Sequence, residues 1–267
     1  MKAGGKKRLD AASVAGLLIG VGAVAAAQAL DGGAIRSVFQ GTAAVIVFGG
    51  TLGATLLSFP RRQVTHAFAM LRGVLFEPPD DRNATADAMV RCARLARAHG
   101  LLALEEQAER QGDPLIQKAL RLVADGVDSK HVRELVEIHI ANDDERDQEP
   151  ARVFEALGGY APTFGILGAV LGLIRVMENL GDPAHLGSGI ATAFVATVYG
   201  VGAANLVFLP IAAKLRARAG RRALRGEMVL EAVLAIQEGL SPRLVEEKLE
   251  TYRQPAAGPA RRVPRAA

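Results

Sequence analysis

The side chains that could do chemistry in this sequence are hydroxyls and an amide set inside two long uncharged runs. Residues 156–174 form a run of 19 without a charge, and residues 186–213 form a run of 28. Hydroxyl and amide groups can line a wet path and hydrogen-bond an ion carrier, but none of them titrates near neutral pH. The polar groups in these runs include Thr163, Thr192, Thr197, Tyr199 and Asn205.

The elements that must position these groups are helices long enough to cross a membrane, which takes about 20 apolar residues. Half of the 267 residues are hydrophobic and the mean hydropathy is positive, which is typical of a membrane protein. We predict four spans, at about 11–30, 37–59, 156–176 and 187–212. The basic head and the triplet Ala27-Gln28-Ala29 also fit a cleaved signal peptide. We favour a retained helix, because the first run is long and a second follows at once.

None of the four predicted spans contains Asp, Glu, Lys or His. Proton paths inside membranes normally use ionisable groups, because a carrier must bind and release the proton at depth. We therefore expect that this chain alone conducts no protons. The titrating carboxylate would come from a second polypeptide, and the last two spans of this chain would line the space that holds it.

Glycine and proline mark these last two spans. Gly168 and Gly172 form a small-xxx-small pair, which lets two helix backbones approach closely. Pro162 and Pro210 each remove a backbone donor and predict a kink. Ordinary packing of a multispan protein explains these features equally well.

Lysine and arginine predict the orientation, since cytoplasmic loops carry an excess of both. The two short loops hold only Arg36 and Arg175, so both termini and the long middle segment are expected in the cytoplasm. The clusters that support this topology are Lys2, Lys6, Lys7 and Arg8; Arg61, Arg62 and Arg72; Arg146 and Arg152; and Lys214, Arg216, Arg218, Arg221 and Arg222.

The middle segment, 61–155, predicts a small helical domain. Its start continues the helical spacing of the second span, and Pro78 and Pro79 then break the chain. Helices are expected over 85–99, 101–110 and 114–124, and from 128 on towards the third span. Gly100 ends the first of them, and the helix over 114–124 is capped by Asp113 and ended by Gly126. The apolar stripe of the last helix is Val132, Leu135, Val136 and Ile140.

The C-terminal part predicts further helices, with Ser241-Pro242 opening the last one, and a disordered basic tail. The fold class is therefore an all-α membrane protein. It has four transmembrane helices, a helical cytoplasmic domain between spans 2 and 3, and a helical cytoplasmic C-terminal segment. The predicted domains are 1–60, 61–155, 156–213, 214–253 and 254–267.

Catalytic and metal-binding patterns are missing from the sequence. There is no Ser/His/Asp arrangement, no His or Cys metal cluster and no phosphate loop. The lone Cys92 excludes an internal disulfide, and the modest net charge of +4 marks topology rather than a nucleic-acid surface. We predict no enzyme activity, no cofactor, no metal and no nucleic-acid partner.

Several motifs occur in the order found in flagellar motor stator subunits of the MotA/PomA type, and the chain resembles that family over about residues 85–253. The four-span layout with its large loop is similar too. The motifs are GLLALEEQAE, LVADGVD, NDDER, GGYAPTFGILGAVLGLI, VATVYGVGAANLVFLPIAAKL and VLEAVLAIQEGLSPRLVEEKL.

The resemblance implies a ring of subunits, five in number, in the bacterial inner membrane around a MotB/PomB-type partner. That partner supplies a membrane aspartate and a peptidoglycan-binding domain. Ion flow past the aspartate turns the ring, which pushes a FliG-type rotor protein and drives flagellar motility.

The resemblance also implies residue roles. Ion-path lining and gating fall to Pro162, Thr163, Gly165, Ala169, Thr197, Tyr199 and Pro210. Rotor contacts fall to Arg97, Glu105 and Glu106, which otherwise read as a solvated face. Sodium-type members carry Thr where this chain has Ala169, and a hard cation needs several oxygen ligands. Protons are therefore favoured over sodium.

The alternative function is a non-rotary proton-channel subunit of an ExbB/TolQ-type energy transducer for envelope transport. Those relatives share the last hairpin but have a single span before the cytoplasmic segment. A secondary transporter is a weaker possibility, because the two hairpins show no internal duplication.

Overall fold

The computed structural model describes residues 8–30, 32, 38–74, 76–77, 81–178, 181 and 183–253. The predicted features at Lys2, Lys6, Lys7, Arg36, Pro78, Pro79 and the tail 254–267 lie outside these residues. Most of the described chain is helical, and the all-α membrane fold with four transmembrane helices is confirmed. A single pair of two-residue strands, β1 (Arg8–Leu9) and β2 (Phe76–Glu77), runs antiparallel within the described residues.

The described helices follow the predicted order. The first span is α1 (Ala11–Leu30), and the second combines α2 (Gly41–Ala44), a π-helical turn (Val45–Gly49) and α3 (Gly50–Ser58). The helices that follow are α4 (Arg61–Val74), α5 (Arg82–His99), a 3-10 turn (Leu101–Ala103), α6 (Leu104–Arg110), α7 (Pro114–Ala124), α8 (Ser129–Glu178), α9 (Pro183–Ala203), a second π-helical turn (Ala204–Phe208), α10 (Leu209–Gln237) and α11 (Pro242–Glu250).

Two details of these helices differ from the sequence prediction. The helix of the second span does not continue into α4, because Phe59 is extended (φ −129°) ahead of Pro60. A residue before proline is pushed out of the helical region, which explains the break. Leu135 is 40% exposed, whereas Val132 and Val136 are fully buried, so the predicted stripe was wrong at Leu135.

Helix ends follow the predicted local chemistry. The Asp113 carboxylate accepts hydrogen bonds from the backbone N–H of Leu115 and Ile116, at 2.9 and 3.4 Å, and Pro114 takes the first helical position. The Ser241 hydroxyl caps α11 in the same way. Gly100 ends α5 at φ +82°, a conformation that side chains disfavour.

Contacts divide the chain into two compact units. Of the described residues, one unit holds 81–144 and 220–253, and its core packs α5, α6, α7, α11 and parts of α8 and α10. The other holds those between 8 and 77 and between 145 and 219, which include the apolar spans.

Arg225 ties together three segments of the first unit. Its guanidinium donates from Nε to the Thr85 hydroxyl at 3.1 Å, pairs with Asp81 at 3.3 Å and binds the helix-capping carboxylate of Asp113. Only 21% of the Arg225 side chain is exposed. The start of α5 and the start of α7 are therefore fixed to α10 by one cation with a forked set of donors.

Cys92 is packed in the same core, where it is 3% exposed. Burial raises the pKa of its thiol to about 11, although the neighbouring Arg91 acts in the opposite direction. The side chain is therefore an uncharged thiol near neutral pH.

In the second unit, the apolar end of α8 packs closely against α9 through glycine. A Cβ on Gly172 would lie 2.8 Å from both the Ala193 nitrogen and the Gly189 oxygen. A Cβ on Gly200 would lie 2.5 Å from the Ala161 oxygen and 3.0 Å from the Gly165 Cα. Because these neighbours are backbone atoms, they cannot rotate away, and only glycine permits this separation of the helices.

The substitution Gly200→Ala should force α8 and α9 apart and reduce the free energy of unfolding by about 2 kcal/mol, the usual size of an overpacking defect. The measurement is the unfolding of purified protein in lipid nanodiscs. Gly202→Ala on the same helix is the matched control, since no atom lies within 4 Å of its added Cβ. It should unfold like the unmodified protein; equal losses in both variants would contradict the packing argument.

Candidate ion path and docking surface

Two of the predicted path residues, Thr163 and Thr197, expose their side chains on the apolar helices. Thr163 donates its hydroxyl hydrogen to the Tyr160 carbonyl at 2.7 Å, and Thr197 donates to the Ala193 carbonyl at 3.2 Å. Each hydroxyl therefore uses its donor within its own helix and leaves acceptor lone pairs free to meet an outside donor. Neither group can carry a proton by titration.

Gly165 and Thr197 are brought together by the helix packing. A Cβ on Gly165 would lie 3.5 Å from the Thr197 Cα and 3.0 Å from the Ala196 oxygen. Gly165 is buried, and Ala169, one turn further along α8, is half-buried. The face of α8 that carries small residues thus lies directly beside the segment of α9 that carries the Thr197 hydroxyl.

Tyr199 faces a different neighbour. Its hydroxyl donates to the Val38 carbonyl at 2.7 Å and accepts from the Gln40 N–H at 3.2 Å. Its ring lies 5.8 Å from that of Phe48, between centroids. These contacts tie α9 to the second span, so the hydroxyl is occupied by backbone groups there. Its place in an ion path stays a prediction.

The two prolines have different local structures. Pro162 is half-buried inside the continuous helix α8, which also contains Pro150, a position that the sequence analysis did not single out. Pro210 is exposed and follows the π-helical turn at 204–208, where the Leu209 N–H bonds to the Ala204 carbonyl. A wider turn ahead of a proline accommodates the missing N–H, because it shifts the register of hydrogen bonding.

The π-helical turn of the second span, Val45–Gly49, was also missed. Val47 within it is fully buried and packs with Ala43 against Val195 and Ala196 of α9. This stretch contains no proline, and its only local signal is the adjacent pair Gly49 and Gly50. Turns of this kind often occur at functional sites, which makes both of them candidates for movement.

Ion pairs surround the charged ends of the apolar segments. Arg152 donates to both Glu145 oxygens, at 2.5 and 3.1 Å, and Arg216 lies 2.6 Å from Glu155. The hydrogen bond from Arg152 lowers the pKa of the Glu145 carboxyl below its usual range. Lys214 pairs with Asp10, and Arg218 donates to the carbonyls of Gly73, Val74 and Phe76. Four of the basic residues that predicted topology, Arg152, Lys214, Arg216 and Arg218, are therefore held by specific partners.

The predicted rotor-contacting residues are exposed at one corner of the first unit. Arg97 lies in the last turn of α5, and Glu105 and Glu106 lie in the first turn of α6. Glu106 is paired with Arg110. Leu102, in the 3-10 turn between them, is 71% exposed and was not singled out by the sequence analysis. An apolar side chain flanked by opposite charges is typical of a contact surface. We call Arg97, Leu102 and Glu105 the corner surface.

Within the described residues, no group of three or more His, Cys, Asp or Glu side chains is placed to hold a metal ion. Three apolar helical segments in the described part of the chain are long enough to cross a membrane. They are Gly41–Ser58, a part of Ser129–Glu178 and a part of Leu186–Gln237, and Val14–Leu30 is a shorter apolar helix. The second unit thus presents polar but untitratable groups at membrane depth.

Comparison with known proteins supplies the family. Residues 107–228 match the MotA/TolQ/ExbB proton channel family, and residues 14–100 match the motility protein A N-terminal family. The chain is 34% identical to chemotaxis protein PomA of Vibrio alginolyticus, over 91% of this chain and 95% of that protein.

Solved structures agree. The C. jejuni MotAB structure superposes with a TM-score of 0.85 at 27% identity, covering 97% of this chain and 99% of that one. The flagellar MotAB stator complex of Bacillus subtilis gives a TM-score of 0.80 at 29% identity, covering 92% and 96%. The chain therefore belongs to the MotA/TolQ/ExbB proton channel family, as a flagellar motor stator subunit of the MotA type.

Proposed function

We propose that this subunit assembles as a ring of five around a MotB-type partner in the bacterial inner membrane, with both termini in the cytoplasm. Proton flow through the complex drives torque on a FliG-type rotor protein. The observation that carries the proposal is the chemistry of the spans. They expose the acceptor oxygens of Thr163 and Thr197 but contain no Asp, Glu, Lys or His. An ion carrier at depth must then come from another chain.

Solved structures of related proteins support the presence of a partner chain. The two superposed structures are of MotAB. The stretch matched to the motility protein A N-terminal family covers the first hairpin, which favours the stator over a transducer of the ExbB/TolQ type. The ion-path roles of Pro162, Gly165, Ala169, Tyr199 and Pro210 belong to the same proposal.

Proton flux should require the partner. Vesicles that hold this chain alone should conduct no more than protein-free vesicles, because its spans contain no titrating group. Vesicles with the partner should conduct, and changing the partner's membrane Asp to Asn should abolish the flux. The measurement is a pH-sensitive dye trapped in the vesicles. Substantial flux from this chain alone would overturn the proposal.

A sodium arm of the same experiment tests the coupling ion. The Ala169 side chain offers no oxygen, which leaves the Thr197 hydroxyl and backbone carbonyls as possible ligands. A hard cation would be poorly coordinated there. Flux should therefore follow the pH gradient and should not change with external sodium at fixed pH. Flux that tracks sodium would show the opposite selectivity.

Charge reversal on the corner surface should impair motility without loss of assembly. Arg97→Glu and Glu105→Lys should each reduce swimming speed to about half or less, because charges at the rim of a contact set encounter and register. Speed is measured at native expression level, with partner co-purification as the assembly check. The control is Arg243→Glu, which makes the same charge reversal as Arg97→Glu at an exposed position on α11. Normal speed in both corner variants would contradict rotor docking there.

Replacement of the intramembrane prolines should block rotation more than assembly. In Pro162→Leu and Pro210→Leu a backbone N–H returns, which favours a regular helix and removes the local deviation. Single-motor torque should fall several-fold while the complex still co-purifies. Val207→Leu, an apolar change inside the exposed π-helical turn, leaves the backbone donors unaltered and should rotate normally. If both proline variants turn at normal speed, the prolines serve packing only.

A further inference from the structure

A cavity of about 480 Å³ lies within the second unit between α1 and the fourth span. It sits where the π-helical turn at 204–208 leads into Pro210, and α4 closes part of its wall. The volume falls within the range of about 300–1,000 Å³ that small-molecule pockets occupy. Leu17 and Pro210 in its lining are exposed, so the cavity opens at the surface of the unit.

The cavity exists because a side chain is missing from α1. No atom lies within 4 Å of the position that a Cβ on Gly16 would take. One turn further along, a Cβ on Gly20 would lie 2.8 Å from the Leu206 Cδ2, so the two helices are in contact there. Gly16 therefore marks the point at which the space between the spans opens.

The lining is suited to an alkyl chain rather than to water. Apart from Asn205 and Lys214, the side chains that line it are apolar or absent. The Asn205 amide donates to the Val201 carbonyl at 3.0 Å, which satisfies one of its hydrogens within its own helix. Apolar cavities of this kind hold water poorly, because a buried water needs two to four polar partners.

The charged end of the cavity is a paired cation and anion. Lys214 is the first charged residue after the long uncharged run, and its ammonium pairs with the Asp10 carboxylate. The two side chains are 33% and 19% exposed. The ammonium has three donors, so the pair leaves donors free. A bare anion would meet repulsion from Asp10, whereas a headgroup with both a phosphate and an ammonium complements the pair.

We propose that this cavity binds one acyl chain of a zwitterionic membrane phospholipid with an amine headgroup. The phosphate lies at Lys214, the headgroup ammonium lies towards Asp10, and the chain runs past Gly16 to the π-helical turn. The site is independent of which ion the complex conducts. A helix of a second copy or of the partner is the competing occupant.

The test uses the full chain with its partner, reconstituted in vesicles of phosphatidylethanolamine and phosphatidylglycerol. A trace phosphatidylethanolamine with a diazirine midway along one acyl chain is photoactivated, and labelled peptides are mapped by mass spectrometry. Label should appear at Leu17 and in the peptide containing Leu206. The same probe with a glycerol headgroup should label this site at least threefold less.

Gly16→Leu should fill the cavity and reduce labelling at least fivefold. Gly22→Leu is the matched control, because it makes the same change on the same helix, also with no atom within 4 Å of the added Cβ. Its labelling should equal that of the unmodified protein. Lys214→Gln should reduce labelling about threefold and Lys214→Arg should retain it.

Three results would overturn the proposal. Equal labelling in the Gly16→Leu and Gly22→Leu variants would show that the probe labels the general lipid-facing surface. Preference for the glycerol headgroup would contradict the role of the Lys214 and Asp10 pair. A photoreactive amino acid at Leu17 that crosslinks to another polypeptide, with no lipid adduct, would show that a protein helix fills the space.

Discussion

Hydrocarbon offers no hydrogen-bond partner to the polypeptide backbone, and the second unit follows from that constraint. The described spans are helical, and the hydroxyls of Thr163 and Thr197 return their hydrogens to carbonyls about one turn earlier in the same helix. Association cannot rely on the hydrophobic effect, since lipid is as apolar as leucine. Backbone contact through Gly172 and Gly200 supplies the attraction instead. Each of the helix deviations at 45–49 and 204–208 buries one residue completely, Val47 in the first and Ala204 in the second.

The same constraint explains why the spans contain no Asp, Glu, Lys or His. An isolated ionised side chain at depth costs at least a few kcal/mol, and more when it has no partner. In the proposed ring, a subunit that kept its own carboxylate would bear that cost in every copy. A carboxylate supplied by a central partner would confine the cost to a few sites. Basic residues lie beyond the ends of the uncharged runs, where Glu145, Glu155 and Asp10 pair with Arg152, Arg216 and Lys214.

Helix ends could be predicted from the sequence, whereas the π-helical turns and the directions of individual side chains could not. The caps at Asp113 and Ser241 and the turn at Gly100 depend on neighbouring residues alone, so they were predictable. The spans were predictable because length and composition decide them. The π-helical turns depend on packing against other helices, and the only local marker of Val45–Gly49 is the adjacent pair Gly49 and Gly50. The direction of Tyr199 depends on a partner 161 positions away in the chain. Leu102 was missed because an exposed leucine has no sequence signature.

The buried Cys92 has a consequence for the chemistry that this protein resists. Thiolate is the form that oxidants and alkylating reagents attack, and a thiol with a pKa of about 11 supplies very little of it near neutral pH. The sequence contains no other cysteine. The Cys92 thiol should therefore remain unmodified under oxidative stress that inactivates proteins with exposed thiolates. Because Cys92 should react very little with thiol reagents, a single introduced cysteine could be labelled selectively in the native chain.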